Sequence, residues 1–147
     1  HDLVQKALGA DGLSVDFWRI AMRPGKPLMF GQYREIPMLG LPGNPVSALV
    51  CAILFLVPAI AAMQGLVAPI RITRARLGKA LGANDQREDY LRATLDERED
   101  ALPVATAFER QDSSMLSAMS AADCLIVRAP HAEAAAEGDV VSVIRLR

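Results

Sequence analysis

Cysteine and histidine are too scarce in this sequence to build a structural metal centre. Cys51 and Cys124 stand 73 positions apart, no CxxC occurs, and neither of the two histidines falls at a zinc-ligand spacing from them. Structural zinc needs four ligands at short, regular intervals, so metal held by thiolates is set aside. Two thiols inside apolar runs instead fit a reducing cytoplasm. An excess of one charge is missing too: sixteen basic residues face seventeen acidic ones, for a formal charge of -1. The whole-chain field therefore gives no reason to expect nucleic acid or an anionic membrane as partner, and any anion site must be local. Internal repeats and low-complexity segments are absent, and the opening residues do not read as a signal peptide.

What the sequence does have is apolar content. With 52% hydrophobic residues over 147 positions it can bury a sizeable core, as one domain or two small ones. Pro45–Met63 (PVSALVCAILFLVPAIAAM) carries no charge over nineteen residues, close to a bilayer-spanning length. Against a membrane span, neither end carries Lys/Arg or Trp/Tyr anchors, Pro58 interrupts the run, and its alanines make it less apolar than a leucine-rich span. We expect a helix buried on most sides in an α/β core and stopping at Gly65.

Residues 2–9 read as the end of an amphipathic helix, so the sequence opens inside an element. Residues 14–22 combine alternation with β-branched and aromatic side chains, which predicts a strand running into the loop 23–27. Residues 28–33 and 36–41 are short apolar runs on either side of Arg34-Glu35, forming a hairpin or two neighbouring strands. From Val67 the texture changes to β-branched alternation with scattered charges, the mark of a second domain. Strands are expected at 69–81, 87–96, 102–109, 124–128 and 139–146, with a short helix at 115–121 and an alanine-rich turn or short helix at 132–137. Five strands at this spacing favour a small, mostly antiparallel barrel or sandwich. The expected division is residues 1–65 and 66–147.

Two loops carry candidate chemistry. In Leu41-Pro42-Gly43-Asn44-Pro45-Val46-Ser47-Ala48, Gly43 permits a tight turn, Asn44 is a preferred N-cap, and Pro45 suits the first helical position. A helix start of this kind offers N–H groups and a partial positive charge to an oxyanion, and Ser47 adds a hydroxyl; the plain alternative is a capped helix without a ligand. In Met22-Arg23-Pro24-Gly25-Lys26-Pro27 the prolines restrict the backbone, so Arg23 and Lys26 are presented in fixed geometry, which suits a small, doubly charged anion. The alternative there is a solvated loop. Both loops follow predicted strands, and in an open α/β sheet such loops share one crevice.

The pair PGKP and LPGNPVSA, followed by an apolar helix, resembles the molybdopterin molybdenumtransferase family, which includes the bacterial MoeA proteins and the E domain of gephyrin. The resemblance runs over essentially the whole chain. It implies that residues 1–65 are the second half of a three-layer α/β molybdopterin-binding domain, and residues 66–147 the family's C-terminal β domain. It also implies a reaction in which molybdate and adenylated molybdopterin bind, the adenylate is cleaved, and molybdenum passes to the dithiolene with release of AMP, assisted by Mg2+. Small-molecule substrates, a cytoplasmic location and a homodimer of the full-length protein go with it. The family's molybdate site maps onto Arg23, Lys26, Ser47 and, through Asp89-Tyr90-Leu91-Arg92, onto Arg92. Pro24, Gly25, Pro42, Gly43, Asn44 and Pro45 then shape the loops or face the pterin. Of the family's GGxSxGxxD motif only the last residue is matched, as Asp2, the catalytic candidate; metal ligands fall outside the chain.

Departures from the family pattern bear on these expectations. The family carries lysine where Arg23 stands, and a guanidinium offers a different hydrogen-bond fork. Its glycine-flanked serine segment reads Gln111-Asp112-Ser113-Ser114 here, and Asp112 adds a negative charge unfavourable to a nearby anion. Read from the residues alone, Glu88, Tyr90 and Arg92 share one strand face, which is otherwise a solvated one. The family's acidic metal-binding and adenylate-cleaving residues have no counterpart, so this stretch by itself is not expected to catalyse insertion. Two other classes stand beside the enzyme reading. One is an interaction module of the gephyrin kind, which needs an exposed apolar groove that the sequence does not display; the other is a folded remnant without activity.

Overall fold

A computed structural model describes residue 7 and residues 9–67, 70–99, 101–112 and 116–146. Most of the expected opening helix, including Asp2, lies outside the described residues, and Gly9–Asp11 form a short 3-10 turn. Strands β1 (Leu13–Trp18), β3 (Met29–Tyr33) and β4 (Ile36–Gly40) make an antiparallel sheet in the order β1-β3-β4, with β2 (Met22–Arg23) outside it. Tyr33 stands opposite Ile36, so β3 and β4 form a hairpin around Arg34-Glu35. Arg34 adopts φ 58°, the left-handed value that primed hairpin turns need at this position. Gly31 is required for the β1–β3 approach, because a Cβ there would lie 2.1 Å from the Ser14 carbonyl oxygen.

The strand expected over 14–22 is broken. Arg19 turns to φ 76°; its N–H then bonds to the Leu28 carbonyl and the next N–H, of Ile20, to the Lys26 carbonyl. The returning loop thus takes the donors that a straight strand would have given to a sheet. β2 resumes in a different sheet, parallel to β6 (Glu88–Asp96).

Helix α1 (Pro45–Met63) runs the length expected and passes through Pro58 without stopping. Proline removes an N–H and crowds the carbonyl four residues back. The turn before it widens into π geometry over Ala52–Leu56, and the Val57 N–H reaches five residues back to Ala52. By length and composition this helix is able to cross a membrane, the one such helix among the described residues. Its Val46, Val50, Cys51 and Leu54, however, pack with Met22 and Leu28 of the N-terminal half and with Met119, Leu125 and Ile144 of the C-terminal half. The expectation of burial on most sides is corrected: Leu49, Val57, Ile60 and Met63 are exposed. The described residues supply one packing surface for α1, not two.

The C-terminal half is a closed barrel rather than a sandwich. Strands β5 (Ile72–Leu77), β6, β7 (Val104–Ala107), β8 (Cys124–Arg128) and β9 (Val140–Arg145) pair in the order β6-β7-β5-β9-β8, and β8 returns to β6. Only β5–β7 is parallel within this ring. So narrow a barrel has room for small side chains, and Ala75, Ala93, Ala105 and Cys124 line its core with Leu77, Ile126 and Val143. Ile72 is exposed on the side of Arg74 and Arg76, whereas Leu77 is buried, since residues five apart on a strand face opposite ways. A short helix, α2 (Leu116–Ser120), stands where one was expected, whereas residues 132–137 form no helix and Ala135 bridges to Leu81 instead.

Candidate functional site

The PGKP loop follows β2 and the PGNP loop follows β4, and both open on one cavity of about 470 Å³. Arg23, Pro24, Gly25, Lys26, Asn44 and Ser47 stand on its wall. The loops meet, but not at the carboxyl edge of one parallel sheet: β2 belongs to the barrel sheet and β4 to the antiparallel one. Their meeting depends on Gly25, at φ 124°, where a Cβ would sit 2.7 Å from Cys51 Sγ on α1. The Cys51 thiol lies 3.9 Å from the Gly25 carbonyl oxygen, to which it donates a weak hydrogen bond. Burial raises its pKa to about 11, so it stays a neutral donor. Gly25→Ala combines an unfavourable φ with a clash against a buried sulfur, and should lower unfolding free energy by about 1–3 kcal/mol. A wild-type urea midpoint for that variant would show that the loop and helix do not rely on this approach.

Gly43 does not have the role assigned to it. Its φ lies outside the left-handed region and a Cβ would meet nothing within 4 Å. The turn into α1 is made by Asn44, whose Oδ1 accepts from the N–H groups of Val46 (3.2 Å) and Ser47 (3.4 Å). The Ala48 N–H bonds to the Asn44 carbonyl at 2.8 Å, and Pro45 has no N–H to give. The first-turn donors expected to be open to an oxyanion are therefore capped. Polar capacity on this side of the cavity resides in the Asn44 amide and the buried Ser47. Pro42, Gly43 and Pro45 do not stand on the cavity wall.

The cations differ in how far they are already neutralised. Arg23 is exposed, yet its guanidinium pairs with Asp89 and, at 3.3 Å, with Asp85. Asp89 is buried, and its Oδ1 has no hydrogen-bond partner among the described residues, so Arg23 is its compensating charge. Lys26 is exposed and makes no ion pair among the described residues. Arg87 was not singled out in the sequence, and it stands on the same wall. It pairs with Asp85 at 2.7 Å; its side-chain hydrogen bond is the largest cause holding the Asp85 carboxyl down to about 2. Its own pKa is raised by that same bond. The one sequence signal for this arrangement was Asn84-Asp85: Asp85 Oδ1 accepts from the Arg87 N–H, an Asx turn, while the Asn84 amide donates to the carbonyls of Arg87, Arg128 and Ala129.

Arg92 is not on a solvated face. It is 1% exposed, because the segment after β7 folds back across β6: the Phe108 N–H bonds to the Arg92 carbonyl and Gln111 Nε2 to the carbonyls of Arg92 and Phe108. The guanidinium donates to Gln111 Oε1 at 3.2 Å and to the Asp112 carbonyl at 2.8 Å, and desolvation lowers its pKa. Arg92 does not itself stand on the cavity wall, whereas Gln111 and Asp112 do. The shared face of Glu88 and Tyr90 is as read, the Tyr90 hydroxyl donating to Glu88 Oε2 at 2.9 Å.

This fold, with a cation-bearing cavity where its two loops meet, is that of a molybdopterin-binding domain joined to a MoeA-type C-terminal barrel. The family model described as the probable molybdopterin binding domain matches residues 1–62, and that described as the MoeA C-terminal region (domain IV) matches residues 74–146. The chain belongs to the molybdopterin molybdenumtransferase family. A molybdopterin molybdenumtransferase of Haemophilus influenzae is 33% identical over 135 residues, 88% of this chain and 32% of that protein. Molybdopterin molybdenumtransferase 2 of Mycobacterium tuberculosis is 39% identical over 102 residues, 65% of this chain and 25% of the relative. The crystal structure of a molybdopterin biosynthesis MoeA protein from Pyrococcus horikoshii superposes with a TM-score of 0.81 at 27% identity, over 99% of this chain and 35% of that one. The chain thus spans between a quarter and about a third of these relatives' own lengths.

Proposed function

We propose that this chain carries the oxyanion-holding part of a molybdenum-insertion site, in a transferase that moves molybdenum from molybdate to adenylated molybdopterin with release of AMP. The observation that supports the reading is the convergence of Lys26, Arg23, Asn44 and Ser47 on one cavity. In it the Lys26 ammonium and the Ser47 hydroxyl hold molybdate, Arg23 is held in place by Asp89, and Arg92 holds Gln111-Asp112 on the cavity wall. Molybdate and molybdopterin are substrates here. Among the described residues no group of three or more His, Cys, Asp or Glu side chains is arranged to hold a metal. Mg2+ is commonly held by only one or two carboxylates together with substrate phosphates; in this reading its ligands lie mostly outside the 147 residues, and no step is routed through it. Asp2 as a catalytic residue, the division at residues 65 and 66, a homodimer and a cytoplasmic location belong to the same reading. Saturable molybdate binding by the 147-residue chain, measured by calorimetry at fixed moderate salt with sulfate as competitor, is the expected result. Wild-type chain that binds no molybdate would defeat the proposal.

One observation favours a second reading, an interaction module. Between α1 and α2 lies an apolar groove of about 270 Å³, with Leu49, Ile53, Leu116, Met119 and Leu146 on its walls. The same titration separates the two, since an interaction module has no need to bind molybdate.

A further inference from the structure

We infer that Asp85 sets how tightly the cavity holds an oxyanion: it is a resident carboxylate that competes with the ligand for Arg23 and Arg87 and keeps the hold loose enough for release. The ligand's identity rests on the molybdate reading; the residue itself lies off the cavity wall, on which both arginines stand. Asp85 Oδ2 accepts from Arg23 Nη1 at 3.3 Å and from Arg87 Nη2 at 2.7 Å, and Oδ1 accepts from Arg87 Nε at 3.3 Å. One carboxylate therefore spans a cation of the PGKP loop and a cation just before β6. Hydrogen bonds from Arg87 hold the Asp85 carboxyl down to about 2, so it carries its full charge at neutral pH.

The two carboxylates that Arg23 meets differ in whether they can let it go. Asp89 is buried, and its Oδ1 has no hydrogen-bond partner among the described residues. Loss of the Arg23 guanidinium from Oδ2 would leave that carboxylate uncompensated away from water, so Asp89 keeps its hold. The Asp85 side chain is 43% exposed, and water takes over its charge when an arginine turns to a ligand. Its backbone stays in place meanwhile. The Asp85 carbonyl accepts from the His131 N–H at 2.7 Å, and the Asn84 amide ties the loop to the carbonyls of Arg87, Arg128 and Ala129. An oxyanion entering the cavity thus gains Arg23 and Arg87 only against Asp85. For a substrate whose metal has to be handed on, tight ground-state binding does not speed the transfer, and a built-in competitor keeps the site releasing.

Asp85→Asn removes the charge and keeps Oδ1 as acceptor for the Arg87 N–H, so the turn survives, and circular dichroism checks the fold. Molybdate and perrhenate, tetrahedral oxyanions of double and single charge, are titrated by calorimetry into the 147-residue chain at one low salt concentration. The field of a carboxylate acts on a ligand in proportion to the ligand's charge. Asp85→Asn should therefore bind molybdate about five- to ten-fold more tightly and perrhenate only about two- to three-fold. Asp85→Glu, which restores the charge without the turn, should stay within about two-fold of wild type for both anions. Equal or weaker molybdate binding by Asp85→Asn would overturn the competition and leave the molybdate reading standing. An equal gain for both anions, or the same gain in Asp85→Glu, would also overturn it, since a loosened turn and not the charge would then be the cause. If the wild type takes neither anion and Asp85→Asn takes one, the competition stands and the molybdate reading falls; no binding by either chain defeats both.

Discussion

Lys26→Ala is expected to weaken molybdate binding by about ten-fold to a hundred-fold, corresponding to one charge-assisted contact of about 1.5–3 kcal/mol. The reason for placing the largest effect here is the pattern of charge pairing. Arg23 and Arg87, the other cations on the wall of the first cavity, are engaged by Asp85 and Asp89, so an entering oxyanion meets charge already partly spent on carboxylates. Lys26 has no such partner among the described residues. Pro24 and Pro27 on either side restrict the loop backbone, so the ordering cost of the contact falls mainly on the lysine side chain. Calorimetry on wild type and Lys26→Ala at one salt concentration decides the matter, and equal affinities would exclude Lys26 as a ligand. Ser47→Ala, which loses a neutral hydroxyl, should cost less.

Arg92→Ala should lower the free energy of unfolding by about 2–5 kcal/mol, read as a shift of the urea midpoint. The substitution empties a site that is 1% exposed and withdraws the side-chain donors from Gln111 Oε1 and the Asp112 carbonyl. Burial of the guanidinium carries its own desolvation cost, visible in its lowered pKa. Arg92→Met, which keeps most of the volume and removes that cost, should therefore recover much of the stability. Molybdate affinity should fall in both variants, because Gln111 and Asp112 lose the anchor that holds them on the cavity wall. An Arg92→Met chain that is stable and binds molybdate normally would show that Arg92 serves the barrel and not the site.

Several features were legible without coordinates because they depend on neighbours in sequence. Asn44-Pro45 marks a helix start through capping and a fixed φ, and α1 begins at Pro45. The strand from Cys124 to Arg128 is bounded as its β-branched run predicts. Arg34-Glu35 between two apolar runs became the turn of a hairpin. The misreadings share a different cause. Arg92 looked solvated because strand alternation says nothing about a distant segment folding over the strand. The N–H groups after Asn44 looked open, although the cap that marks the helix start also occupies them. The strand through Arg19 looked continuous because its break is imposed by carbonyls of Lys26 and Leu28 on the returning loop.

The sequence by itself determined where the PGKP and PGNP loops lie, which residues cap and begin α1, and that a β-rich segment follows Val67. These are short-range properties, set by backbone sterics, side-chain capping and hydrophobic period. Only the tertiary structure decided that β8 closes on β6, that β2 leaves its neighbours to pair with β6, and that Asp85, Asp89 and Arg87 converge on a loop more than sixty residues earlier. Electrostatic pairing and strand register act through space, and they depend on which distant groups the packed core brings within a few ångströms. The same local signals allow many such pairings, and burial of α1 against Met22, Leu28, Leu125 and Ile144 selects among them.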